Sequence, residues 1–166
     1  MILLASASEA ILFRWKQGIM DFSPLDFAYN FASLTEKLIK LQPEILLLDY
    51  ELLNLNSERS ILELINLRAG IKIVVFSPEL PNEIEWKLFK AGIKGCCQNN
   101  IQPEQIKRVI NVILQGELWI RRTLTNQILD ELVKVTHEKN RVDKAVNELL
   151  DNLTRREYQI ATLVGR

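Results

Sequence analysis

Short apolar runs alternate with stretches of helical periodicity five times between Met1 and Gly116, and that alternation restricts the fold more than any single motif. The most telling run is Pro43 to Tyr50, PEILLLDY, entered from a proline and closed by a carboxylate. A strand without polar alternation is covered on both faces, as in a parallel sheet lying between helices. Met1–Ala5, Ile71–Phe76 and Ile93–Gln98 are runs of the same kind. Leu25 to Phe31 instead alternates over Phe27, Tyr29 and Phe31, which reads as an edge strand with one more exposed face.

The intervening segments carry helix signals. Ser6 and Glu9 form a capping-box pattern that opens a helix through about Gln17, ended by Gly18, with Ile11, Leu12, Trp15 and Ile19 on its inner stripe. Ser33 and Glu36 repeat the pattern ahead of Leu34, Leu38, Ile39 and Leu41. Ser57 to Arg68, Asn82 to Gly92 and Pro103 to Gly116 are three further amphipathic stretches. Strands alternating with helices imply an α/β class: a doubly wound, five-stranded parallel sheet, with the flavodoxin-like strand order 2-1-3-4-5. Ligands of such sheets bind beyond the carboxyl ends of the strands. Asp49, at the tip of the third strand, stands where a functional acid is expected.

Composition excludes several classes. At 166 residues, 48% of them hydrophobic, the chain can bury one good core and an appendage. Its 21 basic and 21 acidic side chains balance, so no global field draws it to nucleic acid or an anionic membrane. The sequence has neither a long apolar span nor the features of a signal peptide, and the expected location is the cytoplasm, with no membrane partner. Cys96 and Cys97 are adjacent, which suits a reducing compartment, and with a single histidine they make no metal site. No nucleophile and base are set together as catalysis would need, so the chain is not expected to be an enzyme.

Four pieces carry a resemblance: Asp49 at the third strand tip, Ser77 at the fourth, AGIKGCCQNN around the fifth, and GELWIRRTL after the fifth helix. Together they resemble a bacterial response-regulator receiver of the NarL/FixJ type. From Leu153 the sequence LTRREYQIATLVGR is similar to the opening of a LuxR-type helix-turn-helix. The resemblance implies a receiver over residues 1–122, a helical linker arm over 123–152, and the start of a DNA-binding domain over 153–166, the chain stopping before any recognition helix. DNA contact would then belong to a missing C-terminal part.

Position by position, the resemblance implies an altered site. Receivers of this type hold Mg²⁺ with an acidic pair after the first strand, phosphorylate the third-strand Asp, contact the phosphoryl group with a fourth-strand Ser or Thr, and pair it with a fifth-strand Lys. Asp49 and Ser77 match. Ser6 and Ala7 occupy the positions of the acidic pair, Asn99 that of the Lys, and Cys96 that of the switch aromatic. Phosphoryl transfer to a carboxylate rests on positioning and charge neutralisation, and Mg²⁺ favours carboxylate oxygens. The expectation is therefore a degenerate receiver that holds no cofactor. Asp49 and Ser77 are expected to form a hydrogen-bonded pair, and Ser6 to cap the first helix.

The resemblance further implies a transcriptional regulator acting as a homodimer, with Trp86, Phe89 and the edge near Lys94 as a dimer face, and a sensor kinase or other protein as partner. Two alternatives stand beside this reading. One is a conventional phosphoacceptor at Asp49 with weakened Mg²⁺ binding. The other is a redox sensor in which one of Cys96 and Cys97, pointing to opposite faces, is accessible. In the arm, Thr123–Thr136 and a segment from about Asn140 read as two amphipathic helices separated by a polar break containing His137.

Overall fold

The computed structural model describes residues 1–22, 24–53 and 55–138, and the chain divides into two compact units, the first being Met1–Glu117. In that unit the order is β1 (Ile2–Ala5), α1 (Glu9–Ile19), β2 (Leu25–Ala28), α2 (Phe31–Leu41), β3 (Ile45–Asp49), a 3-10 turn (Tyr50–Leu52), α3 (Ser57–Leu67), β4 (Lys72–Ser77), α4 (Asn82–Ala91), β5 (Gly95–Gln98) and α5 (Pro103–Leu114). The strands form one parallel sheet in the order β2-β1-β3-β4-β5, as the alternation predicts.

The unbroken apolar runs find the environment their composition requires. Every residue of β3 is buried, and successive side chains serve opposite faces. Leu46, Leu48, Ile73, Val75 and Cys96 join one core with Leu34 and Leu38 of α2, Ile61 and Leu64 of α3, and Leu88 of α4. On the other face Trp15 of α1 packs against Phe76 of β4, ring centroids 4.6 Å apart. The 3-10 turn after β3 starts at the strand tip, so Asp49 is delivered to the rim of the sheet.

Three local expectations need correction. Helix α1 is capped by Ser8, whose side chain accepts from the Ile11 N–H, and not by Ser6. The segment expected as strand through Phe31 ends at Ala28, because Asn30 and Ser33 form a reciprocal capping box that starts α2 at Phe31, ahead of the Ser33–Glu36 pattern. Gly18 does not stop α1 either; it lies within the helix, where a Cβ would stand 2.5 Å from the Pro103 carbonyl oxygen and 3.0 Å from the Ile106 Cβ. The glycine lets α1 approach α5. Gly18→Ala is expected to cost about 1–3 kcal/mol by overpacking, read as a lower urea midpoint at unchanged m.

In the second unit, α6 runs Arg122–Glu138, so His137, expected in a polar break, belongs to the helix. The other predicted helix of the arm and the LTRREYQIATLVGR segment lie outside the described residues.

Candidate functional site

The site is built where β1, β3, β4 and β5 end. Ser6 follows β1 directly and is fully buried, while Asp49 and Ser77, closing β3 and β4, retain 5% and 2% exposure. Parallel pairing brings these tips side by side: Ala5 is in register with Leu48, and Asp49 with Phe76.

Both oxygens of Asp49 are engaged. The Ser6 hydroxyl donates to Oδ2 at 2.7 Å, and the same hydroxyl oxygen accepts from the Ser8 N–H at 3.0 Å. Oδ1 accepts from the Glu51 N–H at 3.0 Å, capping the 3-10 turn. Ser6 therefore serves the carboxylate, which leaves the capping of α1 to Ser8. The expected pairing of Asp49 with Ser77 is not the one formed. Ser77 faces the other way along the pleat, toward Cys96, and its carbonyl accepts from the Asn99 N–H at 3.0 Å.

Beneath the crevice, the Cys96 thiol lies within hydrogen-bonding reach of both the Glu85 carboxylate and the Ser77 hydroxyl. Burial pushes this thiol far above its ordinary pKa; the negative Glu85 adds to the rise and the Ser77 hydroxyl opposes it. Cys97 is pushed up by burial and then by Glu85. The expectation of one accessible thiol is thus overturned: both are buried, because helices cover both faces of β5. Neither reacts as a thiolate at neutral pH. A thiol reagent is expected to label neither in the folded protein and both in urea, with no intermolecular disulfide on a non-reducing gel.

Asn99, at the end of β5, supplies no cation. Its carbonyl accepts from Arg14 Nη1 at 3.2 Å, so a positive charge reaches this loop from α1. Its Oδ1 is buried without a hydrogen bond among the described residues. A shallow depression of about 340 Å³ lies alongside, lined by Pro78, Glu79, Gln98, Asn99 and Asn100.

The donor set does not fit Mg²⁺. Such an ion takes hard oxygen ligands in octahedral geometry, with at least one or two carboxylates. Of the five positions compared, Ser6, Ala7, Asp49, Ser77 and Asn99, Asp49 is the carboxylate; Ser6 is committed to it, and the exposed Ala7 has no side-chain ligand atom. Among the described residues no three His, Cys, Asp or Glu side chains are grouped to hold a metal. Sequence reasoning missed Ser8, Arg14 and Glu85. Only Glu85 left a signal: it lies on the same stripe of α4 as the buried Leu88 and Ala91, a charged residue at a core position.

The candidate dimer-face residues lie on α4 and just ahead of β5. Trp86 and Phe89 are half-buried on α4, Phe89 against the core, with Lys90 Nζ 5.4 Å from the Trp86 ring centre; Lys94 is exposed at the start of β5.

Sheet order and flanking helices define the CheY-like receiver fold of response regulators. Three of the proteins it is similar to are a regulatory protein, a response regulator and a receiver domain. Oxygen regulatory protein NreC of Staphylococcus haemolyticus strain JCSC1435 is 24% identical over 95 residues, which are 57% of this chain and 42% of that protein. A LuxR-family two-component response regulator from Aurantimonas sp. SI85-9A1 superposes with a TM-score of 0.67 at 17% identity, over 80% of this chain and 96% of that one. The isolated REC domain of RcsB from Salmonella enterica serovar Typhimurium, in its apo form, gives 0.68 at 13% identity, over 76% and 96%. No protein-family model matches the chain. The resemblance to NarL/FixJ-type regulators is thus found at the level of the fold and, over 95 residues, of sequence. None of these three proteins is named as an enzyme, and no helix among the described residues is long and apolar enough to cross a membrane.

Proposed function

We propose that this chain is an atypical response regulator, a cytoplasmic transcriptional regulator whose receiver dimerises or senses a signal largely independently of Asp49 phosphorylation. One observation carries the reading: the Asp49 carboxylate is closed off by the Ser6 hydroxyl and the Glu51 N–H, with Ser6 and Ala7 where an acidic pair would hold a metal and Asn99 where a lysine would neutralise charge. A phosphoryl group added there would bring roughly one to two negative charges with no metal or lysine to balance them. The receiver would occupy residues 1–122, with the arm at 123–152 and the start of a helix-turn-helix at 153–166. Trp86, Phe89 and Lys94 belong to the face where two copies meet. A sensor kinase or another protein acts as its partner.

Intact mass tests this directly. Wild type and Asp49→Asn are incubated with acetyl phosphate, or with beryllofluoride, in the presence of Mg²⁺, and oligomeric state is followed by light scattering. Neither protein is expected to gain mass or change assembly. An adduct that requires Asp49 and shifts the oligomer would instead establish the conventional phosphoacceptor.

A further inference from the structure

The sheet has an open side at β2, and the chain has closed it with side chains. β2 is the terminal strand, so one row of its backbone groups has no strand to pair with. Which residues form that row follows from the ladder: the Pro24 and Ala28 carbonyls accept from the Ile2 and Ser6 N–H groups of the β1 side. Alternation then turns Phe27, and Tyr29 just beyond the strand, outward.

The outward groups at the centre and downstream end of this edge, both backbone groups of Phe27 and the Tyr29 N–H, are occupied. The Phe27 N–H donates to Asp26 Oδ1 at 2.8 Å, and the Phe27 carbonyl accepts from Lys37 Nζ at 2.5 Å. Lys37 also bonds Asp26 Oδ1 at 3.0 Å, which ties the two covers together. One turn earlier on α2, Ser33 Oγ accepts from the Tyr29 N–H at 3.2 Å. Ser33 and Lys37 are four residues apart and share a face of the helix. Partial burial opposes ionisation of Asp26, but the Phe27 N–H and the Lys37 ammonium outweigh it and hold the carboxyl below its ordinary pKa.

We propose that Asp26, Lys37 and Ser33 form a latch over the outer edge of β2 that bars strand addition, and that the strand they exclude is β2 of a second copy. Identical edges can pair about a two-fold axis, each copy presenting its own Leu25 and Phe27, so the first competitor for an opened edge is the chain itself. The surface is distinct from the α4 face invoked above for dimerisation. It is a contact the fold avoids.

The full chain is compared as wild type, Asp26→Ala/Lys37→Met, Lys37→Met and Lys107→Met. The methionine keeps the aliphatic stem and removes the donor. Lys107→Met breaks an exposed ion pair with Asp21, 3.0 Å long, that covers no strand edge, and serves as the control. Light scattering over a concentration series is read beside the infrared band of intermolecular β pairing and the far-ultraviolet circular dichroism. The double variant is expected to form a species larger than the wild-type assembly, with that band, at a concentration lower by about tenfold or more, as loss of a charge-assisted bond would give. Wild type and the control keep their assembly. The proposal is overturned if the folded double variant assembles as wild type at every concentration. Should the double variant lose its helix signal, Lys37→Met alone decides by the same criterion.

Discussion

Ser6→Asp, Ala7→Asp and Asn99→Lys, introduced together, are expected to turn the crevice into one that takes up Mg²⁺ and beryllofluoride. The expectation follows from what the wild-type crevice lacks. Asp49 sits at the right strand tip and is nearly buried, but its Oδ2 is bonded to the Ser6 hydroxyl, and among the described residues no three His, Cys, Asp or Glu side chains are grouped to hold a metal. The triple variant removes the hydroxyl, adds two carboxylates and supplies the missing cation. Without metal it should be less stable than wild type by about 1–3 kcal/mol, because Asp49 loses a buried hydrogen bond and gains like charges. Mg²⁺ should reverse this. At a metal concentration a hundredfold above its Kd, binding to the folded state adds about 2.7 kcal/mol, read as a rise in Tm. Wild type and Asn99→Lys alone should show no such rise, since a lysine does not hold a cation. If the triple variant behaves like wild type across the Mg²⁺ series, these three positions are not what closes the site, and the proposed basis of phosphorylation-independence falls.

The parts of this molecule that were legible in the sequence are those set by long-range patterning. β3 declared itself because a strand buried on both faces must be apolar throughout, and α5 because Ile106, Val109, Ile110 and Ile113 recur on one face; both appear within a residue or two of their expected bounds. What the pattern could not decide was a choice between neighbours of like chemistry. Ser6 and Ser8 can each cap a helix, and only the placement of Asp49 across the sheet, 43 residues away, recruits Ser6 and leaves the cap to Ser8. Asn30 and Ser33 won over Ser33 and Glu36 for a related reason: Asn30 is already extended at the end of β2 and can cap at once. Gly18 looked like a helix stop because glycine's local and tertiary uses are indistinguishable in sequence; here its missing Cβ accommodates the Pro103 carbonyl. The site was legible only as an inventory. Asp49, Ser6, Ser77 and Asn99 do gather at the strand tips, but the bonds among them depend on the direction of each side chain at its tip. Ser77, one pleat away from the expected direction, faces Cys96 instead of Asp49.

Trp15→Ala is expected to bring the first unit close to its unfolding threshold, whereas Trp15→Phe should cost little. The indole is fully buried between α1 and the sheet and lies 4.6 Å from the Phe76 ring at an interplanar angle of 38°. Truncation to alanine leaves a large void and ends the aromatic pairing, a loss of about 3–5 kcal/mol for a buried tryptophan. Domains of this size have roughly 5–15 kcal/mol in all. Phenylalanine keeps most of the ring and the contact with Phe76. It also removes the Nε1–H, which is buried without a hydrogen-bond partner among the described residues. An unpaired buried donor costs about 1–3 kcal/mol, so its removal offsets much of the smaller void. The net effect of Trp15→Phe should therefore be about 1 kcal/mol or less. Urea unfolding of both variants at a common m decides the matter. A Trp15→Phe loss as large as that of Trp15→Ala would show that the indole N–H is bonded in solution. It would also show that the layer between α1 and the sheet holds a polar contact that the packing of Trp15 on Phe76 does not account for.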